Sequence, residues 1–321
     1  MPSLPAPRTL VALAVATPWI AWALTRALGL DLRHPVVSIV SFTPYAAVTA
    51  WVPVAVAAGL RRWKVALASV VAAGALVALV LPRALGGEHA PAGASGPMLR
   101  VMSANLYVGT ADMAAIMRLA RKQDVDVLSL QELTPEAVDR LDAAGGRSLF
   151  SARALEARAG AAGSGLLSRL PLRDRSPDDA TDAEQPEAEL RVPGAPPVRI
   201  KVVHPRPPIS ARSEPDWRAS IVGLPRPGAE PKGPLRILAG DFNATLDHRV
   251  LRRLLDAGYV DAAAATGSGL IPTWPQGRLQ PPITIDHVLL DARLGVRSYS
   301  VHDLTGSDHR AVIAELVLPR G

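Results

Sequence analysis

Leu235-Arg236-Ile237-Leu238-Ala239 runs straight into Gly240-Asp241-Phe242-Asn243-Ala244. The first five residues are mostly apolar and predict a buried strand. A strand that stops at Gly240 and then presents Asp241, Asn243 and Thr245 puts polar groups at the rim of a sheet, where α/β folds keep their chemistry. Asp241 and Asn243 are two apart, so in an extended stretch both point the same way. A carboxylate there can polarise a water while an amide holds an oxyanion. Gly, Asp and Asn are also turn formers, and from these five residues alone a plain strand-end turn reads equally well. The decision rests on whether the rest of the chain supplies partners.

The 321 residues leave room for about two domains. Their apolar content, 49%, is concentrated near the N-terminus. No charge falls between Arg8 and Arg26, between His34 and Arg61, or between Lys64 and Arg83. Each window is near the length needed to cross roughly 30 Å of hydrocarbon, which predicts three transmembrane helices within residues 1–84. Two further windows after the first argue against a cleaved signal peptide. The cluster Arg61-Arg62-Trp63-Lys64 is expected in the cytoplasm. An odd number of spans then places the remainder outside. Residues 1–96 hold seven Lys+Arg against two Asp+Glu, leaving 28 and 27 for the rest. The exported part therefore lacks the basic balance of a protein that binds nucleic acid through its phosphates. With no cysteine, disulfides play no part.

Residues 85–97, rich in Gly, Ala and Pro, read as a flexible linker to a catalytic domain at 98–321. Strands are expected at Met98–Ala104, Val125–Leu130, Leu166-Leu167, Val198–Val203, Thr284–Leu290, Val296–Val301 and Ala311–Leu318. Helices are expected at Asp112–Lys122, Thr134–Ala143, around Trp217 and at Leu246–Ala257. The polar stretch Arg173–Glu189 reads as an exposed hairpin or loop. Many strands with helices between them make an α/β fold with mixed sheets.

The strand ends carry Asn105, Glu132, His204, Asp241, Asn243, Asp286, His287, Asp308 and His309. Singly, each has an ordinary explanation as a cap or loop residue; together they supply the partners that the opening stretch needed. Asp112, Asp126 and Asp247 read as caps or turn residues, and His34, His89, His248 and His302 as surface or interface residues. The oxygen-only set Glu132, Asp308 and the Asn105 amide suits Mg²⁺ or Mn²⁺ rather than zinc. An Asp beside an Asn can deprotonate a water, and a histidine paired with a carboxylate can stabilise a phosphoryl transition state. These parts point to hydrolysis of a phosphate ester.

The set Ser103-Ala104-Asn105-Leu106, Leu130-Gln131-Glu132, Gly240-Asp241-Phe242-Asn243-Ala244, Ile285-Asp286-His287-Val288 and Ser307-Asp308-His309-Arg310 resembles the endonuclease/exonuclease/phosphatase superfamily, DNase I-like nucleases and lipid phosphatases among them. The resemblance implies a four-layer sandwich of two mixed β-sheets flanked by helices, here preceded by the three spans. It implies Glu132 as principal metal ligand with Asn105 beside it and Asp308 next to the metal. Asp241 would be the water-orienting base, Asn243 a phosphate contact, and His309 the transition-state histidine oriented by Asp286. His204 would face the phosphate, and the departure His204-Pro205-Arg206 makes Arg206 a further phosphate contact. Thr273-Trp274-Pro275 shapes the mouth or is a packed loop. The three-span layout is similar to actinobacterial teicoplanin-resistance membrane phosphatases, which implies a lipid-linked phosphate or diphosphate, such as undecaprenyl-pyrophosphate, cleaved outside the membrane. A membrane-anchored extracellular nuclease is the alternative, and a binding module on an inactive catalytic fold a third.

Overall fold

The computed structural model describes residues 6–87, 89–175, 185–228 and 233–321. Five helices come first: α1 (Pro7–Leu28), α2 (Val36–Val40), α3 (Thr43–Thr49), α4 (Trp51–Gly59) and α5 (Trp63–Val80). Small residues pack between them, among them Ala12, Ala16, Ala46, Ala57, Ala66 and Ala73. Leu10, Leu24, Val48, Trp51, Leu67 and Val71 face outward. This inside-out arrangement, small residues at the contacts and large apolar ones exposed, is the pattern of helices packed in lipid. Two helices, Pro7–Leu28 and Trp63–Ala84, are long and apolar enough to cross a membrane.

The middle window does not form one long helix. Val36–Val40 turns aside, because Val37 is buried among catalytic-domain residues and the Ser38 hydroxyl donates to the Pro208 carbonyl (3.0 Å). The apolar helix that remains, Thr43–Gly59, is a shorter one. Pro44, which lacks a backbone N–H, sits in the first turn of α3, where that loss is tolerated.

Twelve strands follow among the described residues: β1 (Met98–Asn105), β2 (Val127–Gln131), β3 (Ala152–Glu156), β4 (Ser164–Ser168), β5 (Leu172–Asp174), β6 (Glu187–Leu190), β7 (Val198–Val203), β8 (Leu235–Asp241), β9 (Tyr259–Asp261), β10 (Asp286–Asp291), β11 (Gly295–Asp303) and β12 (Arg310–Val317). They make two six-stranded sheets, ordered β11-β12-β1-β2-β4-β3 and β5-β6-β7-β8-β10-β9. Each holds one parallel pair, β1 with β2 and β7 with β8, among antiparallel neighbours. Leu99, Val101 and Leu166 of the first sheet pack against Ile200, Ile237 and Val288 of the second. Helix Met113–Lys122 covers the outer face of the first sheet, and helices Glu214–Val222 and Arg249–Asp256 cover that of the second. Two mixed sheets between helices match the architecture expected from the sequence.

Local expectations hold where a cap or an alternation fixes them. Asp112 and Thr134 cap their helices by accepting from the Ala115 and Ala137 N–H groups. The stretch Arg173–Glu189 is flanked by the antiparallel pairing of β5 with β6; its residues 176–184 lie outside the described ones, as does Glu88. The helix expected from Leu246 begins only at Arg249, since Thr245–His248 is spent on a turn in which the Thr245 N–H donates to His248 Nδ1 (2.8 Å).

Two expectations are corrected. Residues 85–97 are not a free tether: His89 pairs with Val296 as an isolated bridge, and the Gly96 N–H donates to the Leu318 carbonyl (2.8 Å). Gly86 lies so close to the backbone of Ala264 and Gly267 that no side chain would fit. Nor is Asp247 a turn residue only. It is wholly buried, taking Arg26 Nε at 2.6 Å and Arg83 through both terminal nitrogens at 2.8 and 2.6 Å. Arg26 lies in the last turn of α1 and Arg83 just beyond α5, so the two candidate spans end on one catalytic-domain carboxylate. Burial alone would raise the Asp247 pKa, but Arg83 and Arg26 hold it below the ordinary value. His248 extends the junction: with Nδ1 accepting from Thr245, its Nε2 donates to the Val37 carbonyl (2.9 Å).

Replacing Asp247 by Ala strands two buried guanidinium groups and should cost about 3–5 kcal/mol of stability. Replacing exposed Arg118 by Ala, which removes its pair with Asp112 (3.7 Å) and leaves the Asp112 cap in place, should cost less than about 1 kcal/mol. Thermal unfolding of the full chain in detergent measures both; similar small shifts for the two variants would contradict the clamp.

Candidate active site

Strand direction collects the polar residues. The parallel pairs β1/β2 and β7/β8 end near one another, delivering Asn105, Glu132, His204 and Asp241. The antiparallel strands β10 and β12 start there, delivering Asp286 and His309. Asp286 sits opposite Asp241 in the register and His287 opposite Gly240. Successive residues point to opposite faces, so Asp286 joins the site and His287 turns behind it. His287 contacts Asp261 Oδ2 (2.8 Å) and donates to the Ala244 carbonyl (2.9 Å), supporting the loop from below. Gly240 is required by close approach: a Cβ built there would fall inside the Val203 carbonyl of β7.

At the centre the Asn105 side-chain NH₂ donates to Glu132 Oε1 (3.2 Å) and Asp241 Oδ2 (3.1 Å). The Asn105 oxygen accepts from the Tyr107 N–H (2.9 Å), which with the two carboxylate contacts fixes the orientation of the amide. The Val108 N–H holds the other Glu132 oxygen (2.6 Å). The Asn243 N–H donates to Asp241 Oδ1 (2.8 Å), and its amide to the Pro205 carbonyl (3.0 Å). Glu132 (φ 57°) and Asn243 (φ 47°) lie in the left-handed region, strain of the kind held at functional sites.

His309 Nδ1 is 3.0 and 3.2 Å from the two Asp286 oxygens, and its Nε2 is 3.7 Å from Asp241 Oδ2. Burial opposes charge on His309, but the Asp286 and Asp241 carboxylates outweigh it and raise the pKa to about 9. For Asp241, burial outweighs the attraction of His309 and, with Asp286 adding to it, pushes the pKa up to about 7. His204 is lowered to about 4, chiefly by burial and then by His309. His204 is therefore neutral near pH 7, and its 3.8 and 3.9 Å approaches to Glu132 and Asp241 are not ion pairs.

Ligand atoms of Asp241, Asp286 and His309 lie within 4.8 Å of one another, close enough to surround a metal ion. A protonated His309 engaged by Asp286 is a poor ligand, so the side of Asp241 facing Glu132 suits a cation better. Two oxygens there share one Asn105 donor, and Asp241 is a buried carboxylate short of positive charge. A hard divalent cation fits that donor set.

Asp308 lines the same cavity, on the side of Trp274 and Arg278. Its Oδ2 takes the Trp274 Nε1 (3.2 Å) and Arg278 (3.1 Å), and its buried Oδ1 has no partner among the described residues. Trp274 lines the cavity, its ring 6.3 Å from that of His309. Arg206 is exposed on the cavity rim. Four contributions go beyond the roles that the sequence motifs suggested. Thr273 Oγ1 accepts from the Ile285 and Asp286 N–H groups, and Ser307 Oγ donates to the Asn105 carbonyl. Arg278 covers the Tyr107 ring, and Ser38, Ser41 and Phe42 supply cavity wall from the N-terminal segment. The cavity encloses about 710 Å³.

The endonuclease/exonuclease/phosphatase family model matches residues 102–309, spanning every one of these rim residues. The chain belongs to that family. It is a hydrolase of the kind that cleaves phosphate esters. Among solved structures, an AP endonuclease from Archaeoglobus fulgidus superposes with a TM-score of 0.55 at 13% identity, covering 67% of this chain and 98% of that one. TDP2 from Danio rerio, complexed with single-strand DNA product, gives 0.53 at 18% identity over 68% and 98%. Truncated TDP2 from Caenorhabditis elegans gives 0.52 at 17% over 68% and 98%. These likenesses establish the fold. A search of curated proteins returns no match.

Two of the shifted groups, Asp241 and His309, set the direction in which metal-free stability changes towards high pH. Asp241 is raised above its ordinary 3.8, so it costs stability as pH rises towards 7. His309 is raised above 6.5, so its stabilisation is complete below 6.5 and lost as pH climbs through about 9. Metal-free protein should therefore melt at a lower temperature at pH 9.5 than at pH 6. A divalent cation favours ionised Asp241, so added Mg²⁺ should stabilise more at pH 8 than at pH 6. Asp241→Asn should remove most of that difference; an unchanged pH dependence in this variant would contradict the assignment.

Proposed function

We propose that the chain is a membrane-anchored, divalent-metal-dependent phosphoesterase that hydrolyses a lipid-linked phosphate or diphosphate outside the cytoplasmic membrane. The observation that carries this reading is the buried Arg26–Asp247–Arg83 contact. It joins the ends of two apolar helices to the loop that follows Asp241, so a membrane holding those helices would also hold the active site at headgroup level. The inside-out packing of α1 to α5 supports three spans, with Thr43–Gly59 as the short middle one. Pairing with Asp247 also removes Arg26 and Arg83 from the free charge on that side, which favours Arg61-Arg62-Trp63-Lys64 as the cytoplasmic cluster.

In this reading Glu132 and Asp241 would hold Mg²⁺ or Mn²⁺, with Asn105 fixing their orientation and Asp308 at the edge. A cation held there would supply positive charge against the phosphoryl oxygens and favour the ionised form of Asp241. Asp241 takes the proton of the attacking water. Asn243, neutral His204 and Arg206 contact the phosphate. His309, kept protonated by Asp286, stabilises the transition state or protonates the leaving oxygen. The near balance of charge in residues 97–321 speaks against nucleic acid as substrate.

Purified full-length protein should release phosphate from a polyprenyl diphosphate with Mg²⁺, stop with EDTA and recover when Mg²⁺ is restored. Asp241→Ala should lower the rate by about 10²-fold or more. Salt-sensitive cleavage of DNA, with no phosphate released from any lipid phosphate, would replace this reading by the membrane-anchored nuclease.

A further inference from the structure

The cavity that holds the catalytic groups also has an apolar wall. Phe42, Pro207, Ile209, Ile283 and Ile285 line it, and the first comes from the segment between α2 and α3. The volume of about 710 Å³ is in the range that holds a whole small molecule, well beyond one phosphoryl group.

Few polar side chains stand among these residues. The Ser38 hydroxyl donates to Pro208, and the Ser41 hydroxyl lies 3.5 Å from His248 Nε2, which itself donates to Val37. The Phe42 ring leans on Tyr45 (6.2 Å between centroids), whose hydroxyl donates to the Pro282 carbonyl (2.8 Å). The wall thus offers a fixed aromatic and aliphatic surface with little hydrogen bonding for a sugar or a base. The apolar surface also continues outward, through exposed Ile209 (76%) and along α2 to α3 by Ile39, Tyr45 and Val48. A chain leaving the cavity past Phe42 meets carbon all the way to the apolar helices.

We infer that this wall is a subsite for the hydrocarbon chain attached to the scissile phosphate, with Phe42 as its specificity-determining residue. The inference rests on the lipid-phosphate reading above and deepens it: the substrate is an alkyl or prenyl phosphate whose first carbons bind inside the protein. Its chain then passes along α2 and α3 into the bilayer.

Binding of non-hydrolysable phosphonates to the full chain in nanodiscs, measured by calorimetry with Mg²⁺, tests the subsite without relying on turnover. Hexylphosphonate should bind at least about tenfold more tightly than methylphosphonate. Phe42→Asp should abolish that preference by weakening hexylphosphonate binding far more than methylphosphonate binding, and Phe42→Leu should retain most of it. Equal affinity for the two phosphonates in the unaltered protein would overturn the subsite, as would a preference that survives Phe42→Asp. A Phe42-dependent preference in a protein that cleaves no lipid phosphate would uphold the subsite and overturn the substrate reading instead.

Discussion

A single buried carboxylate, Asp247, with two arginines closed upon it, is the contact on which the rest depends. Removing three charges from water is costly, and the geometry compensates only because every partner is in place: Arg26 through Nε, Arg83 through two nitrogens, and the backbone oxygens of Leu246 and Asp247 towards Arg26 and Arg252. Such a contact has one workable arrangement. It fixes the ends of α1 and α5 against the turn after the catalytic loop, and the turn in between aligns Val37 and Ser41 with His248. The cavity wall at Phe42 stands where it does because of this junction.

Around that anchor the sandwich does the positioning. Two parallel strand pairs, one in each sheet, run towards the same rim, and their antiparallel neighbours begin there. The rim then separates charge by environment. Asp286 is committed to His309, whereas Asp241 faces Glu132 with one shared amide between them. The outcome is an imidazolium beside a carboxylate that wants a cation, the pairing of acid and base that phosphoryl hydrolysis needs. Left-handed backbone at Glu132 and Asn243, and at Tyr107 and Val108 in the loop that holds Glu132, puts conformational cost around the site.

Much of this was legible in the sequence, for physical reasons. Strands that end in a polar residue announce the rim, although His287, grouped with the rim residues from its position, turns behind the site to Asp261 and Ala244. Asp112 and Thr134 were readable as caps because a cap acts within three residues. What failed was what depends on distant partners. Asp247 reads as a turn residue until Arg26 and Arg83, 221 and 164 positions away, arrive beside it. The Gly- and Pro-rich stretch 85–97 has the composition of a tether, yet its backbone groups find Val296 and Leu318. The middle apolar window looks uniform, and only the hydrogen bonds of Ser38 and Ser41 show why its beginning leaves the helical path. Thr273 and Ser307 sit inside motifs that the sequence singles out, but the backbone hydrogen bonds they make, Thr273 to Ile285 and Asp286 and Ser307 to Asn105, join segments that the motifs do not connect.

The central claim is that the active site is held at the membrane face. It is tested most directly by the depth of the cavity mouth. The chain has no cysteine, so Ile209→Cys can carry a single fluorophore in the reconstituted full-length protein. Quenching by nitroxides attached to lipid headgroups, with little quenching by iodide in solution, is the expected result. Strong iodide quenching without any effect of the headgroup nitroxides would place the site away from the lipid and contradict the claim.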